Sequence, residues 1–105
     1  MVIRQYDIFV NPDQPSVRLI PYFIVLQSDL LMPLATIIVA PLRPWPSPRA
    51  LTKLNPTLKI GKQEFYVEMQ SLAAVPAKRF RDVKRNAAEM HDACVAAIDM
   101  LFTGI

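Results

Sequence analysis

His91 and Cys94 carry the most reactive side chains in this sequence, which has one histidine and one cysteine. Three residues apart on a helix, they would lie near one face, where they could bind a metal or act as nucleophile and base. A metal site needs one or two further ligands in the right geometry, and there is no second His or Cys to offer one. Cys94 also falls among apolar positions, where a free thiol behaves as a small hydrophobe, so packing outweighs chemistry. The carboxylates stand singly apart from Glu89, Asp92 and Asp99, which are expected to solvate an exposed helix face rather than to share a proton. Two Gly against ten Pro leave no glycine-rich phosphate loop of either common kind. The expected list of catalytic residues, metal ligands and cofactors is therefore empty.

Two other groupings point to binding. Lys78, Arg79, Arg81, Lys84 and Arg85 enclose a single acid, Asp82. They could hold a phosphate or an acidic peptide, although the plainer reading is a solvated loop and a first helical turn, with the cations opposing the helix macrodipole. Leu101-Phe102-Thr103-Gly104-Ile105 ends the sequence with large apolar side chains, where most domains fray into polar residues. Either Phe102 and Ile105 close the core or they rim an interface. Overall, 12 Lys and Arg against 9 Asp and Glu give +3, a thin case for nucleic-acid binding.

The elements that must position these residues follow from pattern. With 105 residues and 52% hydrophobic content, one folded domain over 1–105 is expected. A lone cysteine and the absence of an export pattern make the cytoplasm the default. Leu30 to Leu42, broken by Pro33 and Pro41, falls short of the ~20 residues of a membrane helix. Val2 to Val10 reads as a strand, and Asn11 to Ser16 as a reversal. Val17 to Ser28 reads as a second strand, with Pro21 at an edge or bulge, and Thr36 to Ala40 as a third, covered on both faces. These form an antiparallel meander. The prolines from Arg43 to Arg49 predict an extended loop outside helix and ladder, with Trp45 as connector or contact. Thr57 to Ile60 and Gln63 to Met69 flank Gly61-Lys62, a type II′ hairpin. Val83, Ala87, Met90, Cys94, Ala97, Ile98 and Leu101 form one helical stripe, giving a helix from about Arg85 to Phe102 with Gly104 as its C-cap. The class is α+β, mostly β, with the helix laid on a bent sheet.

Five stretches together resemble the CcdB family, the toxin half of a bacterial toxin-antitoxin pair. They are Val25-Leu26-Gln27-Ser28-Asp29-Leu30-Leu31, Ile38-Val39-Ala40-Pro41-Leu42, Ile60-Gly61, Ala74-Val75-Pro76, and Ala97 through Phe102 to the closing Thr103-Gly104-Ile105. The resemblance implies an SH3-like antiparallel barrel with one C-terminal helix, a symmetric homodimer, and a cytoplasmic protein that is no enzyme. In that family the dimer binds the A subunit of DNA gyrase and traps the cleaved gyrase-DNA complex. A CcdA-like antitoxin, acidic and partly disordered, neutralises it. Positions matching the family's gyrase contacts are Leu30, Leu31, Asp99, Phe102, Thr103, Gly104 and Ile105.

Three features depart from the best-known members. Thr103 stands where they have tryptophan, whose indole can stack on a guanidinium for about 0.5 to 2 kcal/mol. Asp99 replaces asparagine and could pair with an arginine instead. The basic run replaces a mainly acidic stretch. Two rivals follow: a degenerate member that binds an antitoxin and harms nothing, and a messenger-RNA endonuclease of the MazF and Kid type on the same barrel. The second needs strand arginines in an acid/base site, for which Arg4 and Arg18 are the candidates.

Overall fold

The apolar run at the start of the chain does not become one long strand. Arg4 to Asp7 forms a turn in which Arg4 N–H donates to Asp7 Oδ2 at 2.9 Å and Asp7 N–H to the Arg4 carbonyl at 3.0 Å, with Tyr6 at φ 69°. Strand β1 is consequently Asp7–Val10, shorter than the expected Val2 to Val10. The reversal falls where the turn formers stand. Buried Asn11 stitches it, accepting from Asp13 N–H and donating to Ser16 Oγ and the Ile20 carbonyl. That turn takes up Val17 to Ile20, so β2 starts only after Pro21, at Tyr22–Val25. The computed structural model describes residues 2–104.

Strand β3, Thr36–Pro44, is longer than predicted, running through Pro41 and into the expected loop as far as its first proline, Pro44. The reason lies in its partners. Its first half pairs with β6, Ala73–Pro76, and its second half with β5, Gln63–Val67, while β2 lies along the other side. On the β5 and β6 side the switch of partner falls between Val39 and Leu42. Pro41 therefore stands where that side requires no ladder N–H. The hairpin from β4, Thr57–Ile60, into β5 is as predicted. Gly61 takes φ 62°, and Lys62 is not among the left-handed residues, the type II′ pattern rather than I′.

The C-terminal third differs from expectation. Residues Val83–Asn86 form β7, paired with β1 across an irregular register. They are not the first helical turn. A short 3-10 turn, Ala88–Met90, then leads into α1, His91–Thr103. Pairing with an available edge wins over the helical spacing that Val83 shares with Ala87 and Met90. The strands make one antiparallel sheet in the order β4-β5-β3-β2-β1-β7, with β6 on β3. The sheet curls into a half-barrel, and the Arg85 side chain on β7 reaches across to donate from Nε to the Lys59 carbonyl on β4 at 3.0 Å. The expected α+β class, mostly β with one C-terminal helix, holds.

The central strands separate two apolar clusters. Ile8, Ile24, Ala40 and Leu42 face α1 and β5, where Cys94, Ala97, Phe65 and Val67 complete the larger core. Phe9, Val25, Ile37 and Val39 face the other way, onto Phe80. Adjacent residues of β3 thus enter different clusters, as its unbroken apolar run predicts. Among the described residues no helix is long and apolar enough to cross a membrane.

Candidate functional site

Leu30 and Leu31 lie on a 3-10 turn, Asp29–Leu31, that three preceding side chains hold in place. Gln27, itself buried, donates from Nε2 to the Leu31 carbonyl at 3.2 Å and accepts the Ile38 N–H at Oε1, also at 3.2 Å. Ser28 Oγ caps the turn by accepting Leu30 N–H, and Asp29 Oδ1 accepts Gln5 N–H at 2.8 Å. On this fixed base Leu30 is 93% exposed and Leu31 56%. Sequence reading found the two leucines and missed the supporting role of Gln27, whose signal is an amide placed immediately before a Ser cap.

The second group sits on the last turns of α1. Cys94 and Ala97 are buried and Ile98 and Leu101 pack against the same core, so the stripe faces inward as predicted. Asp99 and Thr103 are exposed, and Phe102 is 68% exposed. Phe102 therefore does not close the core, and the choice left open by sequence falls to an exposed apolar side chain. Thr103 Oγ1 donates to the Asp99 carbonyl, one turn back. Gly104 ends the helix at φ 76°, its N–H on the Met100 carbonyl at 3.0 Å, a left-handed cap that a Cβ would strain. Ile105 lies outside the described residues. Among the described residues no hydrogen bond or ion pair joins the leucine turn to the helix end.

The other candidates resolve differently. Burial pushes the Cys94 thiol up to about 11, which makes it a poor nucleophile. His91 is exposed and pairs through Nδ1 with the Tyr6 hydroxyl at 2.8 Å. Burial raises the Tyr6 hydroxyl above its ordinary value. Among the described residues no three His, Cys, Asp or Glu side chains gather as metal ligands. Arg4 and Arg18, offered as strand arginines, lie in the turns flanking β1 and β2 and not on strands. The strand arginines are Arg43 and Arg85. Arg43 Nε sits 2.8 Å from Glu68 Oε2, a charge contact without hydrogen-bond alignment. Arg85 forks onto Glu89, whose carboxyl that bond holds below its usual range.

The basic run is not a helical turn. Lys78 and Arg79 lie on a 3-10 turn, Ala77–Arg79, while Lys84 and Arg85 lie on β7. Trp45 is 39% exposed, with its N–H on the Glu64 carbonyl at 3.0 Å.

Compared with known families, the sequence matches the one described as CcdB protein over residues 5–104, nearly its whole length. The chain belongs to the CcdB family. CcdB-family proteins are toxins of toxin-antitoxin systems, which brings an antitoxin partner with the family. A solved structure described as an Mtb toxin superposes with a TM-score of 0.65 at 20% identity, covering 77% of this chain and 91% of that one. At that identity the likeness is one of fold. No curated protein matches the sequence. Leu30, Leu31 and Phe102 are among several exposed apolar side chains, Leu19 and Leu34 being others; the leucine pair stands on a hydrogen-bonded turn and Phe102 on the last turn of α1.

Proposed function

We propose that this chain is a toxin that works by binding and performs no catalysis. A symmetric homodimer of the single domain presents Leu30, Leu31 and the helix end, Asp99, Phe102, Thr103, Gly104 and Ile105, to the A subunit of DNA gyrase in the cytoplasm. Capture of the cleaved gyrase-DNA complex leaves double-strand breaks, and an acidic, partly disordered CcdA-like antitoxin prevents or reverses it. The observation carrying this reading is that Leu30 is 93% exposed on a turn fixed by Gln27, Ser28 and Asp29. Burying a leucine is worth about 1.5 to 3 kcal/mol, which a target surface can supply and the isolated chain does not.

The test is supercoiling and DNA cleavage with purified gyrase. Thr103 turns its hydroxyl back onto the helix and cannot stack on a guanidinium, so the wild type should inhibit weakly. Thr103→Trp should strengthen inhibition by about 2- to 30-fold, the range that 0.5 to 2 kcal/mol of stacking gives. Inhibition by neither protein would remove gyrase as the target. The same self-bonded threonine favours, as a second reading, a family member that binds its antitoxin without poisoning gyrase. An overexpression growth assay separates the two.

A further inference from the structure

The net charge of +3 hides an uneven distribution. From Leu30 to Gln63 the sequence contains no acid and five cations, Arg43, Arg49, Lys53, Lys59 and Lys62, whereas the other seven Lys and Arg face all nine Asp and Glu. That stretch therefore carries +5 and the remainder −2. Topology brings the stretch to one corner of the sheet. Cross-strand partners share a face, and the register sets Thr57, Tyr66 and Arg43 in one row across β4, β5 and β3, with Lys59 beside Glu64 in the next. Trp45 continues this second row through its N–H on the Glu64 carbonyl. The row faces away from the larger core, which Leu58 and Phe65 enter from the same two strands.

The loop from β3 to β4 adds Arg49 and Lys53, and it is built rather than slack. Buried Asn55 ties it down, accepting Leu51 N–H at 2.8 Å and donating to the Val67 carbonyl at 2.9 Å and Gln70 Oε1 at 2.7 Å. Leu54 N–H closes on the Thr52 carbonyl at 2.9 Å, a three-residue turn with Lys53 at its apex, at φ 71°. That backbone is strained for any residue with a Cβ. Arg49, Lys53, Lys59 and Lys62 are exposed, and among the described residues none takes part in an ion pair. The acids that bonding and register place here offset them little. Glu68 is held by Arg43 and Glu89 by Arg85, which leaves Glu64, half-buried between Lys59 and Trp45. Four unneutralised cations against one acid repel each other.

We infer that this corner is a sequence-indifferent contact for the phosphate backbone of double-stranded DNA. The largest cavity, about 680 Å³ between Met32, Leu34, Ile37 and Phe80, lies elsewhere. Neither it nor the depressions beside Tyr6, Asn11 and Val10 take a residue from 43–62. A peptide holds on through side chains seated in pockets, whereas a phosphate backbone asks only for cations at intervals along a surface. Single-stranded nucleic acid needs successive aromatic faces for stacking. Here Trp45 is exposed, but Phe65 and Tyr66 are buried. The corner also stands apart from the leucine turn. Ile38, whose N–H anchors that turn through Gln27, and Pro44 are six residues apart along β3, roughly 20 Å at the rise of a strand. Such a contact adds a second grip on a cleaved enzyme-DNA complex, yet it requires no gyrase.

The test is fluorescence anisotropy of a labelled DNA duplex of about 20 base pairs, titrated with the wild-type chain in the absence of gyrase. Binding should show a dissociation constant of about 1 to 100 μM near 0.1 M salt, and the logarithm of the association constant should fall with that of salt at a slope of about −3 to −4, as four phosphate contacts give. Lys59→Glu/Lys62→Glu and Arg49→Glu/Lys53→Glu should each weaken it by about tenfold or more and flatten the slope by about 2. The neutral pair Lys59→Gln/Lys62→Gln should fall between these and wild type. Arg79→Glu/Arg81→Glu, the same charge change on the other basic run, should stay within about twofold. No binding, or an equal loss in the Arg79→Glu/Arg81→Glu variant, would overturn the inference, the latter by making net charge the cause. So would polyglutamate binding more tightly than the duplex, or a single strand doing so and losing its hold in Trp45→Ala. Gyrase cleavage on the same preparations keeps the two readings apart. Cleavage without duplex binding removes this contact alone, and duplex binding without cleavage removes the gyrase reading alone.

Discussion

Leu30 shows how an exposed apolar side chain can be told from a merely tolerated one. Among the described residues nothing covers it, yet its backbone is fixed by Gln27, Ser28 and the Asp29–Gln5 bond. Leu30→Ala should therefore shift the unfolding free energy by no more than about 0.5 kcal/mol, measured by urea denaturation. Gyrase inhibition should drop by about tenfold or more. A stability loss in the core range of about 2 to 5 kcal/mol would return Leu30 to the chain's own packing. Cys94 is the opposite case, a reactive group silenced by burial. Its thiol titrates at about 11 when folded, against an ordinary value of 9.0. The group stays protonated longer in the folded state, so its contribution is complete below pH 9 and is lost as pH climbs toward 11. The Tyr6 hydroxyl, also raised, pushes in the same direction. Urea midpoints should fall across that window and fall less in Cys94→Ala, and iodoacetamide at pH 8 should label Cys94 only after unfolding.

At the scale of elements, the leucine turn depends on Gln27 more than on the leucines. Gln27→Ala would leave the Ile38 N–H and the Leu31 carbonyl without their side-chain partner, at about 1 to 3 kcal/mol for a buried group left unmet. Faster amide exchange confined to residues 28–32 and 38 would confirm it, and unchanged exchange there would refute it. The sequence made the β1 to β3 meander, the Gly61-Lys62 hairpin and the inward stripe of α1 legible, because each carries local periodicity or turn chemistry. It hid β6 and β7 for physical reasons. Ala73–Pro76 is small-residue backbone ending in proline, and Val83–Asn86 is a charged edge in which Lys84 and Arg85 mask the strand. Only long-range pairing to β3 and β1 makes them strands. The candidate site divides in the same way. Family likeness in the sequence marks Leu30, Leu31 and the helix end, whereas exposure, the Gln27 support and the cavity beside Leu34 exist only once distant segments meet.

For the whole molecule, the β1-β2-β3 wall matters most, because it puts the helix end over one apolar cluster and the leucine turn's neighbour Met32 beside the other. Phe80→Ala thins the smaller cluster and should destabilise by about 3 to 5 kcal/mol. Bulk added at Ala97, inside the larger one, strains the seat of α1 by about 1 to 3 kcal/mol. Because the sheet stands between them, the two penalties should add to within about 0.5 kcal/mol in the double variant; a larger coupling would mean that the wall transmits strain. Such independence has an evolutionary meaning. A lineage can alter the packing beneath the helix end without disturbing the cluster beside Met32, and the reverse, so the two surfaces they carry can change separately.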